Sequence, residues 1–189
     1  LDFLQDWLTP LAGQLSQLRH LGLQLLWNQA AMYLSSWLLQ MPQLESLMLE
    51  LSPFPGQKTP KLVIPFLSNL QQLSIQSPNY LANDIDLAVI PSLTLLDVSC
   101  FESMPTTRWL PHLAQLTALQ KLSWCHLSED DMKAIGRHLP SQLQMLRIDS
   151  LANLPNARDF FKTMKRHTQL TSLHMPSDLW LKAQSEWLS

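Results

Sequence analysis

Apolar residues recur along this chain in the pattern LxxLxL, in copies beginning at Leu18, Leu44, Leu70, Leu93, Leu119, Leu143 and Leu170. The separations are 26, 26, 23, 26, 24 and 27 residues. The first, fourth and sixth positions of the seven copies give 21 residues, and all 21 are apolar. Sixteen are Leu, with Ile75, Val98, Trp124, Ile148 and Met175 as the variants. In a chain that is 46% hydrophobic, random agreement at 21 sites has odds of about one in ten million before the choice of register. Alternation of positions 4 and 6 predicts a short strand in each copy. A fixed period near 25 residues predicts a stack of similar units, each covering its neighbour's core.

The strands are expected near 18–24, 44–50, 70–76, 93–99, 119–125, 143–149 and 170–176. The intervening stretches carry helix signals. Ser128-Glu129-Asp130-Asp131 reads as an N-cap followed by an acidic first turn, opening a helix to about Leu139. Asn28 to Leu39 and Ala157 to Arg166 read in the same way, and a last helix near 178–188 is expected to close the C-terminal end. The stretches 52–61 and 77–86 read as turns or short 3₁₀ pieces. Strand, helix and strand in succession imply a parallel sheet with helices on one side, an α/β arrangement of about seven repeats. Thirteen prolines, among them Pro42, Pro91 and Pro140, punctuate the elements. Residues 1–189 read as one domain. The chain opens on Leu1 and enters mid-repeat, which reads as a piece of a longer chain.

Positions 3, 5 and 7 of each copy should point to the other sheet face. They are His20, Gly22, Gln24; Ser46, Met48, Glu50; Gln72, Ser74, Gln76; Leu95, Asp97, Ser99; Lys121, Ser123, Cys125; Met145, Arg147, Asp149; and Ser172, His174, Pro176. Parallel strands covered on both faces are apolar throughout. These residues are mostly polar, so one face is expected to meet water.

The seven segments LRHLGL, LESLML, LQQLSI, LTLLDV, LQKLSW, LQMLRI and LTSLHM resemble the leucine-rich repeat family, over nearly the whole chain. The resemblance implies a solenoid bent into a horseshoe, with a parallel concave sheet, convex helices and protein binding on the concave face. The helix-bearing repeats are most similar to intracellular members, such as the substrate-recognition parts of F-box-type ubiquitin ligases and immune-type sensors. One departure stands out. Many members carry Asn at position 9, where this chain has Leu26, Ser52, Pro78, Phe101, Leu127, Leu151 and Asp178.

Composition narrows the function classes. Charged residues are 15% of the chain and the net charge is −2, so no strong field points to nucleic acid or an anionic membrane. Four glycines leave little room for a phosphate loop. The uncharged stretch between Arg19 and Glu45 is interrupted by Gln24, Asn28, Gln29, Ser35, Ser36 and Gln40, which argues against a membrane span. No signal peptide is visible. Two cysteines make no disulfide framework, and no Asn-x-Ser/Thr site occurs; both point to an intracellular, cytoplasmic setting.

Asp97, Lys121, Arg147 and Asp149 form a charged patch on three adjacent strands, flanked by Met48, Leu95 and Met145. With Glu50, Gln72, Ser123 and His174 these are the candidate partner-binding residues; the competing reading is a solvated strand surface. Twenty-one outward residues match the ~20–30 per side of a standard protein interface. Asp97, Ser123, Arg147 and His174 share one row, but Ser123 and His174 stand two strands, or roughly 9–10 Å, apart, too far for a nucleophile and its base. Cys100, Cys125 and His126 lack zinc spacing; the two cysteines read as a pair of free thiols, with a disulfide between them as the alternative. Arg158, Lys162, Lys165 and Arg166 read as a solvated helix face, with an acidic partner as the alternative. Trp124 reads as core, Trp27, Trp37 and Trp109 as helix packing, and Trp180 and Trp187 as a cover for the C-terminal end. The expected function is non-catalytic binding of a protein partner, without metal or cofactor. A structural subunit of a large assembly is the other alternative.

Overall fold

A computed structural model describes residues 12–26, 30–52, 64–77, 90–100, 110–127, 134–135, 137–151 and 157–177. Seven strands form one all-parallel sheet in chain order. They are β1 (His20–Leu26), β2 (Ser46–Ser52), β3 (Gln72–Ser77), β4 (Leu95–Cys100), β5 (Lys121–Leu127), β6 (Met145–Leu151) and β7 (Ser172–His174). Each predicted segment overlaps one strand. The register pairs like positions without a slip: His20 with Ser46, Ser46 with Gln72, Gln72 with Leu95, Leu95 with Lys121, Lys121 with Met145 and Met145 with Ser172. Spacings from 23 to 27 residues are therefore absorbed wholly between the strands. A one-residue slip would turn the leucines outward, so burial of one face enforces this register.

The strands begin two residues later than the segments, at position 3, and most run past position 7. Hydrogen bonding explains the late start. At every junction the carbonyl of position 2 accepts two backbone N–H groups from the next repeat, as Arg19 does from Glu45 (2.8 Å) and Ser46 (2.9 Å). Glu45, Gln71, Thr94, Gln120 and Gln144 repeat the arrangement. Positions 1 and 2 thus belong to a turn, closed by a bond from the position 1 N–H to the carbonyl three residues earlier, for example Leu44 to Met41 (3.0 Å) and Leu119 to Leu116 (3.0 Å). The short β7 has a different cause: Pro176 stands at position 7, where it has no N–H for a ladder.

Helices are short and few among the described residues: α1 (Ala12–Leu15), α2 (Ala30–Leu38), α3 (Leu110–Leu113) and α4 (Ala157–Met164). α2 and α4 fall inside the predicted 28–39 and 157–166, each ending earlier; α1 and α3 had no sequence prediction. Of the helix expected over 128–139, residues 134–135 and 137–138 are helical and 128–133 lie outside the described residues. The closing helix near 178–188 lies outside them too, as do most of 52–61 and 77–86; Ser52 and Ser77 belong to strands rather than turns.

The core is a continuous layer behind the sheet. Of the 21 pattern positions, the 15 from the five inner repeats are at most 1% exposed. Leu18, Leu21, Leu23, Leu170, Leu173 and Met175, from the two end repeats, are only half-buried. An inner strand has a neighbour's leucines on both sides and an end strand on one. Leu34 and Leu38 of α2 are fully buried, and Phe160, Phe161 and Met164 of α4 nearly so. Phe160 and Phe161 meet edge to face, 5.4 Å between centroids. Trp124 is 1% exposed, as its place at position 6 requires. Trp37 packs half-buried against the core. Trp27, Trp109, Trp180 and Trp187 lie outside the described residues. No helix among the described residues is long and apolar enough to cross a membrane.

Candidate interaction face

The opposite face of the sheet is open. None of the 21 residues at positions 3, 5 and 7 is buried. The register sets them in rows that cross the strands. One row runs Gln72, Leu95, Lys121, Met145, and the next Met48, Ser74, Asp97, Ser123, Arg147, His174. Glu50 and Asp149 stand in the third row, at position 7 of β2 and β6. All eleven predicted residues therefore occupy one face: Met48, Glu50, Gln72, Lys121, Arg147, Asp149 and His174 exposed, and Leu95, Asp97, Ser123 and Met145 half-buried.

The charged patch is assembled as expected, with local bonds that the pattern did not specify. Arg147 Nε donates to Asp149 Oδ1 at 2.7 Å. That bond and the charge of Asp149 hold the guanidinium above its ordinary pKa, with a smaller contribution from Asp97. Asp97 accepts from the hydroxyls of Ser74 and Ser99, both at 3.3 Å. Glu50 accepts from Gln24 Nε2 across the β1–β2 pair at 3.1 Å. At the strand entries Arg19 and Glu45 form an ion pair of 3.0 Å.

Ser123 and His174 stand two strands apart with Arg147 between them. The hydroxyl that His174 Nε2 does meet is Ser172 Oγ, on its own strand at 2.9 Å. Cys125 is not in a disulfide, and the β4–β5 pairing ends at Val98 and Trp124, one residue before it. Among the described residues no group of three or more His, Cys, Asp or Glu side chains is placed to hold a metal ion. In the basic stretch after α4's first turn, Lys162, Lys165 and Arg166 are exposed.

Two features escaped the sequence reading. The position three residues before each pattern start is apolar in six of seven repeats: Leu15, Met41, Leu67, Ile90, Leu116 and Pro140. Five of these, Met41 onward, are buried; the signal was present as a further column. Polar side chains also stitch neighbouring turns at the strand entries. Asn69 Nδ2 donates to the carbonyl of Pro42 at 2.8 Å, Ser92 Oγ to that of Leu70 at 2.7 Å, and Gln142 Nε2 to that of Leu116 at 3.0 Å. Thr94 and Thr171 hydroxyls donate to the Gln71 and Gln144 carbonyls. Turn groups thus find side-chain partners at the strand entries.

No protein-family model matches this chain, and a comparison with curated proteins found no match.

Proposed function

We propose that this chain is a leucine-rich-repeat interaction module that binds a protein partner through the open face of its sheet. One observation carries the reading. Fifteen inward pattern residues are at most 1% exposed, while none of the 21 outward residues is buried. A sheet that seals one face and leaves the other to water presents a broad, mixed surface, and interfaces of this kind draw their affinity from a few residues within it. Met48, Leu95 and Met145 supply apolar contact, and Asp97, Lys121, Arg147 and Asp149 supply charge. We place the protein in the cytoplasm, on the absence of a glycosylation site and the presence of two cysteines in the whole sequence.

The horseshoe shape belongs to the same proposal. Strands roughly 4.8 Å apart backed by wider helices bend a sheet with its open face inside. Simultaneous replacement of Asp97, Lys121, Arg147 and Asp149 by Ala should abolish partner binding in co-precipitation and leave the circular dichroism spectrum unchanged. Normal binding by the folded variant refutes the reading.

A further inference from the structure

The open face is unequal along its length. At positions 3, 5 and 7, the first four repeats hold Glu50 and Asp97 and no Lys or Arg, whereas the last three hold Lys121, Arg147 and Asp149. Arg19 and Glu45 flank the first part at position 2, paired with each other. Among the described residues Glu50 accepts from Gln24, and Asp97 from Ser74 and Ser99, all neutral donors. Arg147, which feels a small effect of the Asp97 charge, is itself bonded to Asp149. A carboxylate offers about four lone-pair sites, so both acids retain acceptor capacity for a cation from outside.

Met48 lies beside them, 51% exposed. Its register partner on one side is Gly22, where a Cβ would meet no atom within 4 Å. On the other side is Ser74, one of the shortest side chains available. The methionine is therefore bare on both flanks, and its flexible thioether can pack against an incoming apolar group.

We propose that the first four repeats of the open face receive a protein segment that combines an apolar side chain with a lysine or arginine a few residues away. The apolar group packs on Met48 over Gly22, and the cation reaches Glu50 or Asp97. This rests on the reading of the open face as a binding surface, and adds the chemistry of the partner. The dimensions suit an extended segment. Glu50 stands about 6.6 Å from Met48 along the strand, and Asp97 about 9.6 Å away across two strand spacings. An extended chain advances about 3.3 Å per residue, so two or three residues separate the two contacts. An acidic segment meets like charge here and is drawn instead toward Lys121 and Arg147.

The test is selection of a random twelve-residue peptide library, displayed on phage, against the full chain. Enriched peptides are then synthesised, and their Kd is measured against Met48→Ser, the double variant Glu50→Gln/Asp97→Asn, and Lys121→Ala/Arg147→Ala. All three variants are first checked by circular dichroism. The expected peptides carry net positive charge and an apolar residue, and lose about tenfold or more in affinity on the first two variants but little on the third. Acidic peptides weakened by Lys121→Ala/Arg147→Ala would overturn the inference and leave the open-face reading standing. Peptides indifferent to every variant would overturn both. A library yielding no peptide enriched above bare support would overturn the inference alone.

Discussion

Gly22 stands directly opposite Met48 in the parallel register of β1 and β2, and nothing lies within 4 Å of where its Cβ would be. Glycine within a strand gives up about 0.5–1 kcal/mol relative to alanine through backbone entropy, and branched residues suit strands better still. Gly22→Val should therefore keep or raise the urea midpoint, by up to about 1 kcal/mol of stability. The same branched side chain would crowd the flank of Met48. A lowered midpoint would show that the site is tighter than the structure gives.

Inner and end repeats should differ in what one leucine contributes. Leu96 in β4 is 0% exposed and Leu21 in β1 is half-buried, though both hold position 4. Leu96→Ala should cost about 2–5 kcal/mol, transfer plus cavity. Leu21→Ala removes a group that water already reaches, and should cost about 1–2 kcal/mol. Chemical denaturation of the two variants decides the point; equal losses would contradict the account of burial along the stack.

The Arg147–Asp149 bond is solvent-exposed at both ends, with side chains 57% and 41% accessible. Its removal by Asp149→Ala should change stability by no more than about 1 kcal/mol. The hydrogen bond and charge of Asp149 raise the Arg147 guanidinium further above its already alkaline ordinary range, so its contribution is complete at neutral pH and is lost only in strong alkali, as pH rises through the raised value. Arginine titration thus adds no pH dependence near neutrality. Salt is the effective variable, because it screens exposed charges. A stability difference between wild type and Asp149→Ala that persists undiminished in 1 M salt would refute this.

The bond from Ser92 Oγ to the Leu70 carbonyl, at 2.7 Å, ties the third repeat's turn to the fourth's. Ser92→Ala should cost about 0.5–1.5 kcal/mol, and speed hydrogen exchange at the Leu93 amide, which closes the adjoining turn on Ile90. Unchanged exchange there would mean that the hydroxyl is idle.

The parallel sheet was legible because two periods coincide in the chain. A spacing of two assigns faces within a strand, and a spacing near 25 places like positions side by side. Leu95 and Met145 could be put on the open face despite being apolar, since the register leaves them no other side. What the pattern could not contain were contacts decided by rotamer and turn geometry. Nothing in the spacing says that Asp97 takes its hydroxyls from Ser74 and Ser99, or that His174 turns to Ser172 rather than toward Ser123. The late strand starts are of the same kind, because a carbonyl accepting two N–H groups is a backbone arrangement common to Arg19, Gln71 and Thr94, with no side chain to announce it. Pro176 was visible in the sequence, but the expected segment ran through it to 176, whereas β7 ends at His174, because proline has no N–H to continue the ladder.

The most direct test of the open face is site-specific photo-crosslinking from Ser123, at its centre, compared with Lys162, exposed on α4. A photoreactive residue at position 123 should trap a partner protein in intact cells, and trapping should disappear when Met48, Asp97 and Arg147 are replaced together. Position 162 should trap none of that protein. Trapping of the same protein from position 162 and not from 123 would contradict the account.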